Sequence, residues 1–324
     1  MRSSESRRRV LLPWLLGSLL LAEAGVAVAA ETGAIPTLAV QTLQEWHSGE
    51  GVPFALPTDV AAGVNGHLYV VDGGNDRVVV IDSTGAVVTS FGSTGQGDAE
   101  LDRPVGVGID GKGRVHVADR GNHRIQVFEK DGTYAYPVPL FVGDTRVEPV
   151  DVAVNKEGTE LFVTSADRHE VIVFDWKGNL LRRWGGRGEE PGQFFHPATI
   201  EIAVERVYVV DVLNARVQCF YPDGRIVRVF GKRGAGPGTL FRPKGITVDS
   251  SGRVFVSDSY FGVIQAFETS GEFLYAIGEA GRPQVFEAPV GMTAVCLLYT
   301  SPSPRDLRQD LVCRLLLEKG GGGG

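Results

Sequence analysis

Cysteine and methionine are scarce in this chain, three and two among 324 residues. So few thiols exclude a disulfide-built fold, and no Cys/His cluster with metal-ligand spacing occurs. A Ser/His/Asp nucleophile signature and a phosphate-cradling glycine loop are missing too. After the first thirty residues nothing keeps the 3.6-residue period of an amphipathic helix, and no apolar run is long enough to span a bilayer. What the chain has instead is glycine, 43 residues of it, in a composition that is 43% hydrophobic. That combination suits many short strands joined by tight turns around a sizeable core.

The two ends differ from the middle. "MRSSESRRRVLLPWLLGSLLLAEAGVAVAAET" has a basic head at Arg7, Arg8 and Arg9, an apolar run from Val10 to Leu21, and small residues leading to "AVAA". This is the pattern of a secretory signal peptide over 1–30, cleaved after Ala29 or Ala30. "SRRRVLL" also resembles the twin-arginine export pattern, so either export route is open. An exported protein, periplasmic or extracellular, is expected, with no stable membrane span after cleavage. The chain has a formal net charge of −7, to which residues 1–30 contribute +2 and 296–324 contribute +1, leaving −10 between them. So acidic a body argues against nucleic acid as a partner.

A repeated phrase occupies the middle. "VVDGGNDRVVVI" (70–81), "VADRGNHRIQVF" (117–128), "VVDVLNARVQCF" (209–220) and "VSDSYFGVIQAF" (256–267) are near-copies, and "VTSADRHEVIVF" (163–174) is a more divergent one. Start prolines stand at Pro57, Pro104, Pro149, Pro197, Pro243 and Pro289, and turn glycines at Gly85, Gly132, Gly178, Gly224 and Gly271. The period is 45–48 residues from proline to proline. A fixed period of that length marks a repeat architecture. Each unit reads as four short alternating strands, "VGVGID", "RVHVAD", "RIQVFE" and a more variable fourth, with Gly/Asp/Asn turns between them. Such meanders close radially into a β-propeller, which leaves few exposed sheet edges.

The start proline, the strand-end Asp, the "GNxR" turn and the closing Phe together resemble the NHL repeat, over residues 38–295. The third unit departs from it at Ser165, Arg168 and Glu170, the fifth at Phe261 and Val263. The resemblance implies an all-β, six-bladed β-propeller of four-stranded antiparallel blades over 31–295, truncated in the sixth blade. In this reading "LAVQTLQEW" supplies the outer strand of that last blade. From Cys296 onward, "CLLYTSPSPRD" and "DLVCRLLLEKGGGGG" resemble a translated sequencing adapter running into poly-glycine. Residues 296–324 are therefore expected to be a non-native tail that joins no blade.

Most of the repeated phrase reads as architecture. Asp72, Asp119, Asp211 and Asp258 can accept N–H groups of the following turn, Asn suits a left-handed backbone there, Arg ties the blade to its neighbour, and Phe fills the gap between sheets. Cys219 reads as blade packing. Function is therefore sought on the face carrying the second-to-third-strand turns and the crossings between blades. The crossings "GGRGEEPG", "GKRGAGPG" and "GEAGRP" place Arg187, Lys232, Arg233 and Arg282 there, and the turn "SYFG" adds Tyr260 and Phe261. Cations beside aromatics suit a protein, an acidic peptide or an anionic saccharide.

Two other sites are open. Asp59 and Asp151 stand second after their start prolines, where other units have Gly106, Thr199, Gly245 and Gly291. If both face the channel they suit Ca²⁺. Exported NHL-like propellers also include a zinc lyase acting on peptidyl-hydroxyglycine. That resemblance makes His123, His169 and His196 an alternative zinc set, with Zn²⁺ as its metal. No other cofactor is implied. The expected function is ligand or protein binding through the channel-mouth face; the alternative is a metal-dependent lyase or lactonase of the six-bladed class.

Overall fold

The computed structural model describes residues 35–39, 48–49, 51–286, 289–296 and 311–314. The proposed signal peptide lies outside them. Every regular element among the described residues is a β-strand.

Five four-stranded antiparallel sheets follow one another along the chain. Blade one is Pro57–Ala62, Leu68–Asp72, Arg77–Ile81 and Val87–Phe91. Blade two is Pro104–Ile109, Val115–Asp119, Arg124–Phe128 and Tyr134–Pro139. Blade three is Asp151–Val154, Glu160–Ser165, Glu170–Asp175 and Leu180–Gly185. Blade four is Pro197–Ala203, Arg206–Asp211, Arg216–Phe220 and Ile226–Phe230. Blade five is Pro243–Val248, Val254–Asp258, Val263–Phe267 and Phe273–Glu279. The first strand of each blade lies innermost, against the first strands of its neighbours. The turn glycines between third and fourth strands have a left-handed backbone, φ 88° at Gly85 and 89° at Gly132. L-residues rarely take that conformation, so glycine marks the turn.

Second and third strands are the most buried, with Leu68–Asp72 and Arg77–Ile81 buried throughout. Between blades the closing Phe meets an aromatic on the outer strand of the preceding blade. Ring centroids are 4.6 Å apart for Phe91 and Phe128, 5.6 Å for Trp184 and Phe220, and 5.2 Å for Phe230 and Phe267. Twisted sheets diverge towards their outer edges, and these rings fill the gap.

The Asp of the repeat does more than the sequence suggests. In blades one, two, four and five it reaches back to the preceding crossing and accepts the N–H two residues before the start proline. Those donors are Ala55 at 2.7 Å to Asp72, Asp102 at 2.8 Å to Asp119, Phe195 at 2.7 Å to Asp211 and Phe241 at 2.6 Å to Asp258. Its other oxygen takes Asn Nδ2 and Arg Nε, at 2.8 and 2.7 Å for Asn122 and Arg124 on Asp119. Only blade five keeps the expected bonds to the following turn, where Asp258 accepts the N–H groups of Tyr260 and Phe261. It has no Asn or Arg partner to take their place. The left-handed residue is also not the Asn. It is the one after it, Asp76, His123, His169 and Ala215, with φ between 50° and 58°, and Gly262 in blade five. The Asn is held to the Asp and to a crossing carbonyl, as Asn122 is to Gly95 O.

A sixth innermost strand, Thr293–Cys296, lies between the first strands of blades five and one. The Ala294 N–H donates to Thr247 Oγ1 at 3.0 Å. Two expectations change here. Leu311–Arg314 pairs antiparallel with Thr293–Cys296, so part of the tail stands where a second strand would. Its register puts Cys296 opposite Leu311, since an unpaired inner strand offers its free edge to any extended segment within reach. The N-terminal segment does not complete the sixth sheet in the described residues. Thr37–Leu38 pairs parallel with the outer strand of blade five, opposite Ala276 and Ile277. Residues 40–47, most of the expected strand, lie outside the described residues.

Candidate functional site

Two places gather chemically active side chains. One is the channel, a cavity of about 130 Å³ lined by the six innermost strands. The other is the face carrying the second-to-third-strand turns.

Asp59 and Asp151 both line the channel, as their spacing suggests. Their oxygens are engaged by the protein. Asp59 accepts the Val107 N–H at 3.0 Å, and Asp151 accepts those of Val152 at 2.7 Å and Ile200 at 2.9 Å. Val107 and Ile200 belong to the next blade in each case, so each carboxylate straps two innermost strands together. Room for the side chains comes from the glycines at the equivalent positions. A Cβ on Gly106 would stand 2.7 Å from Asp151 Cα, and one on Gly291 would stand 2.7 Å from Asp59 Cα. A third acid, Glu201, also lines the cavity. Sequence reasoning missed it, although it stands two residues beyond Thr199 and period-two alternation returns it to the channel.

Burial raises the pKa of all three carboxyls. Asp59 is pushed well up by burial and then by the Asp151 charge, and Asp151 by burial despite its two amide donors. Glu201 is pushed up to about 8, by burial first and Asp151 second. The carboxylates the sequence offers to a calcium ion are thus bonded to backbone N–H groups and biased towards protonation.

The zinc set does not converge. His169 and His196 adjoin, with ring centroids 5.2 Å apart, and the His196 N–H donates to His169 Nδ1 at 3.2 Å. His123 occupies the turn of the preceding blade. Among the described residues no three His, Cys, Asp or Glu side chains approach closely enough to share a metal ion. Their repeat positions explain this: each of these histidines has a left-handed backbone that serves its turn or crossing.

The basic–aromatic face is assembled around two residues the sequence reading passed over, Phe195 and Phe241. Each stands two residues before a start proline, where a strand-end Asp pins its N–H. Asp211 holds Phe195 at 2.7 Å, and Asp258 holds Phe241 at 2.6 Å. The architectural Asp therefore positions the ring. Over each ring lies an arginine from the same crossing, Arg187 at 5.0 Å from the Phe195 centroid and Arg233 at 5.2 Å from that of Phe241. The four residues form one module written twice, one repeat apart. Around Phe195 stand His169 and His196, each with its ring centroid 5.7 Å away. Around Phe241 stand Tyr260 at 4.3 Å and Phe261 at 5.9 Å. Arg233 Nη2 donates to Leu213 O at 2.6 Å, which carries the patch across blade four.

The members differ in presentation. Tyr260 is 61% exposed, whereas Phe261 is half-buried against Phe241 and Tyr260. Lys232 and Arg282 are exposed, but neither stacks on a ring of the patch; Arg282 sits in the Gly278–Pro283 hairpin that follows blade five. Burial pulls the His169 imidazole down, helped by His196 and then Arg187. The missed signal was in the sequence: "FFHP" and "LFRP" each place Phe two residues before the start proline of consecutive units.

The NHL repeat model matches residues 54–81 and 101–128. Those stretches cover the first three strands of blade one and the corresponding part of blade two. The protein brain tumor of Drosophila melanogaster is 26% identical over 134 residues, which are 41% of this chain and 12% of that protein. This chain thus spans only a small part of that relative. Among solved structures, a streptogramin B lyase superposes with a TM-score of 0.55 at 15% identity, covering 75% of this chain and 74% of its own. A chain of a nidogen/laminin complex gives 0.56 at 17% identity over 75% and 86%. A gluconolactonase from Xanthomonas campestris gives 0.55 at 18% identity over 73% and 78%. At these identities the structural likeness shows the fold alone. No helix among the described residues is long and apolar enough to cross a membrane. Residues 54–81 and 101–128 thus match the NHL repeat, within a fold of four-stranded antiparallel blades that superposes on these solved structures.

Proposed function

We propose that the protein is an exported, six-bladed NHL-repeat propeller that binds a protein or other ligand through its turn-and-crossing face. The observation that carries this reading is the Arg233–Phe241–Tyr260–Phe261 stack, repeated in part by Arg187, Phe195, His169 and His196 one blade away. A propeller needs none of these aromatics for closure, because the rings that fill its inter-blade gaps are Phe91, Phe128, Trp184, Phe220, Phe230 and Phe267. An exposed aromatic beside a guanidinium offers apolar area and charge-assisted bonds together, and such residues dominate binding energies at interfaces. The sixth innermost strand between blades five and one supports the six-bladed count, and the basic head and apolar run over residues 1–30 support export.

The anchor in this reading is Tyr260, since Phe261 is half-buried. A combined peptide and glycan array with the full chain, Tyr260→Ala and Arg233→Ala tests it. Binding that falls in both variants, at unchanged melting temperature, is the expected result. Hits that both variants retain would place recognition elsewhere. The lyase or lactonase alternative draws on the fold of structural neighbours, while the described residues bring no metal-ligand set together to carry it.

A further inference from the structure

Most arginines of the blades have carboxylate partners. Arg77 is paired with Asp72, Arg114 with Asp110, Arg124 with Asp119, Arg182 with Glu160, Arg216 with Asp211 and Arg253 with Asp249. Arg187 and Arg233 have no such partner: like Arg146 on Phe141, both are exposed and stack on a ring, and among the described residues neither meets a carboxylate, but only these two belong to the basic–aromatic face. Ring stacking holds a guanidinium in place while leaving edge donors free, the arrangement that receives a carboxylate in bidentate fashion. Arg233 is further fixed by its bond to Leu213 O, so its remaining N–H groups are pre-oriented.

The crossings that carry them have already paired much of their own backbone. Leu240 N–H donates to Lys232 O, Gly234 N–H to Leu240 O and Thr239 N–H to Gly236 O. In the other crossing Phe194 N–H donates to Gly186 O, Gly188 N–H to Phe194 O and Gln193 N–H to Glu190 O. Little main chain is left there for a peptide to add to as a strand, so recognition runs through side chains. A ligand that offers carboxylates and apolar ring faces, without needing backbone pairing, fits this better than an extended peptide.

Resting on the binding reading above, we propose that the two modules are equivalent subsites for one acidic oligosaccharide chain, with Arg187 and Arg233 each taking the carboxylate of a different uronic acid unit and Tyr260 meeting a sugar face. Packed sheets lie about 10 Å apart or more, so one monosaccharide cannot reach both subsites and a chain can. Length dependence follows. A chain that engages both subsites gains by effective concentration, on the order of 10²-fold over a single unit.

The test is calorimetric titration of the full chain with galacturonic acid and with oligogalacturonates of increasing length. A neutral oligosaccharide of equal length and a glutamate-rich peptide of equal charge serve as the other arms. Affinity should rise in a step once the chain spans both subsites. Arg187→Ala or Arg233→Ala should each remove that step and return the long chain to the affinity of a short one, with the fold intact; Arg233→Lys should fail to restore it, because an ammonium lacks the fork. A smooth dependence on length, equal binding of the glutamate-rich peptide or of the neutral chain, or single variants that keep the step would each overturn the proposal. Array hits lost in Tyr260→Ala beside a flat uronate titration would leave the binding face standing and remove only its acidic-saccharide occupant. Array hits that Tyr260→Ala and Arg233→Ala both retain, beside a flat titration, would remove the face as well.

Discussion

Raising the pH from 6.5 to 8.5 should destabilise this protein, and Glu201→Gln should lessen the effect. Glu201 is pushed to about 8 in the folded state, from an ordinary value of 4.5. Between these pH values the unfolded carboxyl is ionised throughout, while the folded one goes from mostly protonated to mostly ionised. The folded state therefore binds more protons, and stability falls as pH rises through the folded value. A tenfold change in proton affinity is worth about 1.4 kcal/mol, which makes the loss from Glu201 alone about 2 kcal/mol over this interval. For a domain of this size that is about 4–8 °C in melting temperature. Asp59 and Asp151 act in the same direction, since burial raises both. Carboxyls held low, such as Asp110, lose their contribution only in acid, whereas the lowered His116 and His169 gain stability as pH rises through the ordinary histidine range, which offsets part of the loss and leaves the difference between wild type and Glu201→Gln as the readout of the carboxyl. Differential scanning calorimetry at the two pH values, with wild type and Glu201→Gln, reads the effect. A glutamine variant that keeps the wild-type slope would show that the channel does not hold this carboxyl protonated.

Asp119→Ala should cost about 3–5 kcal/mol in urea unfolding, because it leaves Arg124 and the Asp102 N–H without their buried partner. Gly106→Ala should cost about 1–3 kcal/mol by driving a methyl into Asp151; a double-mutant cycle with Asp151→Ala should show coupling between the two, and strict additivity would refute the steric account. Tyr260→Ala should change stability by no more than about 0.5 kcal/mol while weakening binding by about 2 kcal/mol, read by thermal melting and titration with an array hit.

The blades were legible because their determinants are local. The short valine-rich runs Leu68–Asp72 and Arg77–Ile81, the glycine at each third turn and the proline at each start act within a few residues of themselves. The packing role of the closing Phe could be inferred the same way, and so could Arg as a tie, for Arg124 reaches Gly97 O and Glu100 O in the arriving crossing. That Gly106 and Gly291 share a repeat position with Asp59 and Asp151 was legible too, though not that Asp151 and Asp59 crowd them.

Other features depend on partners about one repeat away, and the sequence carries no direct mark of such a distance. Asp211 could be read as a turn residue, but not as the group that pins Phe195. Arg187, Arg233 and Tyr260 were visible as a cluster of types, while Phe195 and Phe241, on which they stack, were not. The three histidines could be named as one zinc set, yet only His169 and His196 meet. Asp59 and Asp151 were placed at the channel by counting from the prolines, but only closure of the ring shows that amide donors of the next blade occupy their oxygens. In the same way, Thr37–Leu38 lies on the outer strand of blade five. The sequence alone determined the repeat, its strands and its turns, because those are decided by steric preference and period. The tertiary structure decided which side chains meet, because that depends on how each twisted sheet is rotated against the next about the common axis.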